Sequence, residues 1–161
     1  MKKFKSAIIL ANLILLFGYL LFSVWQKERI LSGGKLLLLE LAPVDPRSLM
    51  QGDYMSLRYN IGEGESINEI PRHGFCVVGV QADGVAHKIR LQKDRSPLAE
   101  GEYLIPYKTS KFTLMFGAES FFFQEGQAEK FEKAKYGGLK VDESGNSLLV
   151  GLFDENKREI R

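Results

Sequence analysis

Residues Ala7 to Trp25 read AIILANLILLFGYLLFSVW, nineteen positions without a charge, and this run limits the chain's options more than any other feature. At about 1.5 Å rise per residue, a helix of that length spans roughly 28 Å, close to a hydrocarbon core of about 30 Å. Asn12 is its one strongly polar side chain and Gly18 its one weak helix former; a membrane helix tolerates both. Tyr19 sits inside the run, and Trp25 stands at its end, where an indole favours the headgroup level. The run is apolar on every face, whereas a helix packed on a soluble core keeps a polar face. A cleaved signal peptide needs a shorter apolar stretch that closes on a small-x-small site. Here the run ends SVWQKE, with a bulky Trp where small residues should stand. The reading is an uncleaved anchor that meets membrane lipid over residues 7–25.

Lys2, Lys3 and Lys5 precede the run, while Lys27, Glu28 and Arg29 follow it with a net of one. The positive-inside rule makes residues 1–6 a cytoplasmic tip and puts the rest of the chain on the other side. Overall the 161 residues carry 22 basic and 20 acidic side chains, and without the three N-terminal lysines the balance is 19 against 20. No basic stripe of the kind that nucleic acid demands is left in the exported part. Cys76 is the single cysteine, so no intramolecular disulfide can form. Its setting, FCVVGV, reads as an inert core thiol, although His73 three positions earlier invites comparison with a Cys–His nucleophile. Neither histidine has the spacing of a His/Cys/carboxylate metal cluster. No phosphate-cradling loop occurs either, so no cofactor is called for.

Residues 26–34 (QKERILSGG) read as a juxtamembrane linker with Gly33-Gly34 as its flexible end, and 35–161 as one exported domain. Leu36–Leu41 reads as a buried strand, and 54–61 (YMSLRYNI) alternates as a half-buried strand does. FCVVGVQ and VAHKIRLQ flank Ala82-Asp83-Gly84, a strong hairpin signal. Strict alternation puts Val85, His87, Ile89 and Leu91 on one face of the second run, and Ala86, Lys88, Arg90 and Gln92 on the other. EYLIPY and KFTLMFG resemble two further strands. A soluble helix is expected near 124–136, with Ala128, Phe131 and Ala134 on one face and Gly137-Gly138 as its stop. LKVD and SLLVGLF close the domain as a C-terminal hairpin. The expected class is mainly β (α+β): one N-terminal transmembrane helix and a small β-rich domain.

The segment APVDPRSLMQGDYMSLRY, residues 42–59, is the most distinctive. Asp45-Pro46 favours a turn, and Asp53 follows the flexible Gly52. Read as structure, Asp53 accepts backbone N–H bonds, Gly52 takes a positive φ, and Tyr54, Leu57 and Tyr59 pack around that corner. Read as a site, Arg47, Ser48 and Asp53 act together in a binding or catalytic loop. The segment Gly52-Asp53-Tyr54-x-x-Leu57-x-Tyr59 matches letter for letter the motif that names the bacterial GDYXXLXY protein family. DPRSLMQGDY at 45–54, GAESFFFQEG at 117–126, AKYGGLKVD at 134–142 and SLLVGL at 147–152 also resemble that family. The resemblance, from about Leu38 to Leu152, implies a bacterial protein anchored in the cytoplasmic (inner) membrane in a single pass, its domain periplasmic or extracellular. Family members are encoded beside a polytopic membrane protein, so the resemblance implies an integral membrane partner. It carries no mechanism with it.

A second resemblance is to type I signal peptidases, whose nucleophile segment has the form S-M-x-P-T-L-x-x-G-D. Leu49-x-x-Gly52-Asp53 matches the end of that pattern, but the nucleophile position falls on Val44 and the methionine on Asp45. Ser48 could stand in as a displaced nucleophile with Lys88 as its base, which requires a desolvated lysine. Alternation puts Lys88 beside Arg90 and Gln92, an exposed setting. In GAESFFFQEG, Glu119 and Glu125 flank three phenylalanines. Those rings cannot all point one way, so at least one meets a satellite cluster or a partner surface instead of the main core, and Phe122 is taken with Glu119 and Glu125 as a candidate binding or structural residue. The expected function is an anchored accessory protein docked on an integral membrane partner. The alternative is a membrane-tethered hydrolase using Ser48 and Lys88 or the carboxylates Asp53, Glu119 and Glu125.

Overall fold

The computed structural model describes residues 2–42, 54–64, 70–110 and 113–161. A single helix, α1 (Lys2–Gly33), contains the uncharged run and continues well past it. Its stretch Ile8–Gly33 is long and apolar enough to cross a membrane. Here the sequence expectation of a linker over 26–34 is corrected: these residues are helical up to Gly33. Gln26 to Ser32 are mostly good helix formers, and Ser32 Oγ donates to Glu28 O at 2.8 Å. Only Gly34 separates α1 from the first strand. A Cβ there would sit 3.3 Å from the Lys140 side chain and crowd Ile30 O, so the glycine permits an abrupt turn rather than supplying slack.

Among the described residues nine strands follow. β1 (Lys35–Glu40), β8 (Tyr136–Val141) and β9 (Ser147–Phe153) form an antiparallel sheet in the order β1-β8-β9. β3 (His73–Val80), β4 (Ala86–Gln92), β5 (Glu102–Thr109) and β6 (Leu114–Met115) form a second, in the order β4-β3-β5-β6. The third is a two-stranded ribbon of β2 (Tyr54–Ser56) and β7 (Ser120–Phe122). The mainly β, α+β reading of the sequence holds.

β1 ties the two larger sheets together. Its Leu38 amide donates to Gly84 O at 3.1 Å, and Leu38 bridges to Val85 in parallel. Leu37, Leu38 and Leu39 are all buried, so both faces of β1 are covered, which is why it is a run of leucines and not an alternating strand. Leu37, Leu39, Val78, Cys76, Ile105, Leu139 and Leu152 share one core between the sheets. The expected hairpin at 82–84 is present: Gly84 has φ +85, the residue in three-residue loops that most needs glycine's freedom. The C-terminal hairpin is present too, with Asp142 capping Asn146 N at 2.8 Å.

Three local expectations are corrected. β4 does not alternate strictly, because the β3–β4 pairing shifts register between Val77 and Val78, with Val77 opposite Arg90 and Val78 opposite Lys88. Ile89 is the extra residue of this bulge. Ala86 and Leu91, five apart, consequently both serve the core, while Ile89 is 45 % exposed. The soluble helix is only the single turn α2 (Ala128–Phe131). Gly137-Gly138 does not end it but lies inside β8, where a Cβ on Gly137 would approach Tyr59 Cε1 to 2.9 Å and one on Gly138 would overlap the Phe153 ring.

Candidate functional site

The family-like motif is divided by period-two geometry. From Tyr54 to Tyr59, burial alternates: Met55, Leu57 and Tyr59 are buried, while Tyr54, Ser56 and Arg58 are exposed. The strand itself stops at Ser56, earlier than the 54–61 expected, because the chain then changes partner. Leu57 N donates to Glu119 O at 2.7 Å beside the ribbon, and Ala42 N donates to Arg58 O at 2.9 Å beside β1. Tyr59 bridges to Leu41 and a 3-10 turn, Asn60–Gly62, follows. Tyr54 therefore does not join Leu57 and Tyr59 around a common corner.

Tyr59 is the anchor of the inward half. Its hydroxyl donates to Ala118 O at 2.6 Å, and its ring meets Phe116 edge-on at 6.0 Å. Burial, with the nearby Glu119 charge second, pushes this hydroxyl well above the ordinary phenol range. Glu119 itself is held by the turn before it: its Oε1 accepts hydrogen bonds from Phe116 N and from Gly117 N, the latter at 3.2 Å. A carboxylate so engaged shapes the 116–119 turn and, through its backbone, the seat of Leu57. Glu125 is exposed, beyond β7.

The outward half is aromatic. Tyr54 pairs with Phe122 across the ribbon, rings 5.9 Å apart, and the two are 36 % and 73 % exposed. Phe121 and Phe123 turn the other way onto Phe131, at 5.0 and 5.4 Å. The three consecutive phenylalanines thus divide as the sequence requires, two inward and Phe122 outward. A ribbon this short is not stable alone; Phe131 from α2 packs on its Phe121, and its own Met55 is buried in the core.

Asp45, Arg47, Ser48, Gly52 and Asp53 lie outside the described residues. Lys88 is half-buried, not exposed as alternation suggested, since the bulge at Ile89 turns the Ala86–Lys88 end of β4 toward a groove shared with Glu40, Asn60, Asp83 and Tyr136. In that neighbourhood Lys135, 2.8 Å from Glu40, and then Asn60 hold the Glu40 carboxyl below its usual range. Among the described residues no three His, Cys, Asp or Glu side chains gather as a metal centre would need.

Sequence reasoning missed the join between helix and domain. Ile30 is 5 % exposed where α1 meets β8 and β9, and Lys140 Nζ donates to Leu31 O. A cleft opens beside that join, lined by Phe22, Trp25, Arg29, Leu98, Glu102 and Tyr103 among others. The available signal was the helix-forming composition of 26–32, which reading Gly33-Gly34 as a flexible end obscured.

No curated protein and no solved structure matches the chain. A family model does, over a stretch that takes in the second half of α1 and all of the sheets except the last residue of β9. That model is described as GDYXXLXY protein, it matches residues 16–152, and the chain belongs to this family.

Proposed function

We propose that the chain is a single-pass accessory protein of a bacterial cytoplasmic membrane, its N-terminus inside, whose β-rich domain docks outside on an integral membrane partner. One observation carries this reading: Gly34 is the only residue between α1 and β1, and Ile30 is buried against the domain. A tether with no slack keeps the domain within roughly one domain diameter of the bilayer surface. A partner must then be reached at that surface, which favours a protein in the same membrane over a soluble one. The lysines before the run support the orientation, and the exposed Tyr54–Phe122 pair gives the domain an aromatic contact surface of the kind enriched at interfaces.

The test is affinity purification of the full chain from native membranes in mild detergent, followed by mass spectrometry. An integral membrane protein recovered in stoichiometric amount is the expected result. Recovery of the chain by itself, under conditions that preserve other membrane complexes, would end the proposal.

A further inference from the structure

Between Ala7 and Gln26, the side chains able to form hydrogen bonds are Asn12, Tyr19, Ser23, Trp25 and Gln26. α1 is helical through all of them. At about 100° per residue, every one except Trp25 falls within an arc of about 60°. Adding Leu16 and Ile30, this face reads Asn12, Leu16, Tyr19, Ser23, Gln26, Ile30, with spacings of four and three residues in alternation. A period near 3.5 is that of a helix–helix seam. Trp25 lies on the opposite side, with the Arg29 guanidinium 5.0 Å over its ring, an arrangement suited to the headgroup level.

The top of the seam is already occupied, since Ile30 is buried where α1 meets β8 and β9. Below it the seam is largely open: Asn12, Leu16 and Gln26 are exposed, Tyr19 is 71 % exposed, and Ser23 is partly exposed. Asn12 Nδ2 donates to Ile8 O at 3.1 Å, which uses one amide hydrogen; the other and the carbonyl oxygen take no partner among the described residues. Lipid tails offer such groups nothing, whereas a facing helix can.

We infer that this seam seats a transmembrane helix of an integral membrane protein, one that presents hydrogen-bonding side chains at the depths of Asn12 and Tyr19. The inference rests on the membrane-anchored reading above. A second copy of this chain meets an obstacle. Two copies in one membrane run parallel, and the domain overhangs the seam face at Ile30, so a two-fold pair along the seam would drive two domains into one space. A partner helix that ends near the outer surface meets no such obstacle and lies beneath β8 and β9. Gln26 lines both the seam and the cleft beside α1, so the partner's exit from the membrane is toward that cleft.

A photo-crosslinking amino acid, placed one position at a time in the full chain in native membranes, tests this. The positions are Leu16 and Ser23 on the seam, Ile14 and Leu21 opposite it, and Phe122 on the domain. Leu16 and Ser23 should capture a second polypeptide at peptides that map to a membrane-spanning segment, while Ile14 and Leu21 capture lipid only. Asn12→Leu, which raises hydropathy and so preserves insertion, should lower capture at Leu16 by about three- to tenfold. Adducts of twice the chain's mass would overturn the inference in favour of a second copy. Capture at Phe122 with none on the seam would overturn it while leaving the membrane-partner proposal standing. Absence of protein adducts at all five positions would remove both.

Discussion

Two leucine-rich runs of this chain meet opposite fates. In β1, Leu37 and Leu39 are fully buried and Leu38 is 5 % exposed; in α1, Leu15 and Leu21 are about 70 % exposed. Leucine is a good helix former, so the strand forms against local preference. Length separates the two. Six residues cannot satisfy their own backbone groups as a helix, and isolated helices below about 12–15 residues are marginal. β1 instead takes its hydrogen bonds from β8 on one edge and from Gly84 on the other. The long run satisfies its own backbone and leaves its side chains to whatever surrounds it. Leucine content thus says that a segment leaves water, and chain length decides in which form.

The sharpest way to break that comparison is to truncate one leucine in each run. Leu39→Ala removes a side chain with no exposed surface, and a loss of about 2–5 kcal/mol of domain stability is expected. Leu15→Ala should leave the same transition unchanged within about 0.5 kcal/mol. Urea unfolding of the full chain in detergent micelles, followed by the tyrosine near-UV signal, measures both. Equal losses would show that the long run also packs on the domain.

The same contrast recurs within one motif, at a smaller scale. Tyr59→Phe leaves Ala118 O without its buried donor, and about 1–3 kcal/mol is expected to be lost. Tyr54→Phe, on the outward face, should fall within about 0.5 kcal/mol of the parent. The alkaline behaviour separates them further. Because burial raises the folded hydroxyl above its ordinary value of about 10, its contribution is complete below about pH 10. It declines as pH rises above that, toward the raised folded value. Tyr59→Phe should flatten this decline and Tyr54→Phe should not. If both variants showed the same alkaline profile, the inward assignment of Tyr59 would be wrong.

What could be read in the sequence was whatever depends on local chemistry. Asp83-Gly84 makes its hairpin because the turn needs a left-handed residue there, and no distant contact changes that. The uncharged run declares a helix because its length and apolarity suffice. What escaped was set by neighbours distant in sequence. Gly137-Gly138 looks like a helix stop until Tyr59 and Phe153 are seen to fill the space above it. The expected helix shrinks to one turn because Lys135 N is drawn into the sheet by Phe153 O at 2.8 Å. The bulge at Ile89 has no signature in AHKIRLQ. It exists because Ala86 and Leu91 must both reach the core, and only the register with β3 reveals that. At the site, it was legible that the three phenylalanines must divide, but not that Phe122 is the one that turns outward. The engagement of Glu119 by its own turn was not.

The smallest expected effect lies where domain and helix face each other across the cleft. Arg90 Nη1 and Nη2 donate to the two Glu102 oxygens at 2.6 and 2.7 Å, Nη2 also donates to Pro97 O at 3.0 Å, and Ala99 N donates to Glu102 Oε2 at 2.9 Å. This fork closes the 93–101 loop, whose Leu98 lines the cleft on α1. The Arg90 guanidinium first, and the Ala99 amide second, hold the Glu102 carboxyl down to about 2. A carboxyl lowered on folding contributes fully above its ordinary value of about 4.3, and that contribution is lost as pH falls through about 2. A rim ion pair is worth little to global stability, so the effect should be local. Pepsin nicking at Leu98 reads it, taken as the ratio of wild type to Glu102→Gln so that the protease's own pH dependence cancels. Near pH 4 the wild type should resist cleavage more than the variant, and toward pH 2 the two should converge. A ratio that stays constant across that window would mean that the loop is closed by its apolar contacts. The rule drawn from the two leucine runs would then reach even to the charged edge of the domain.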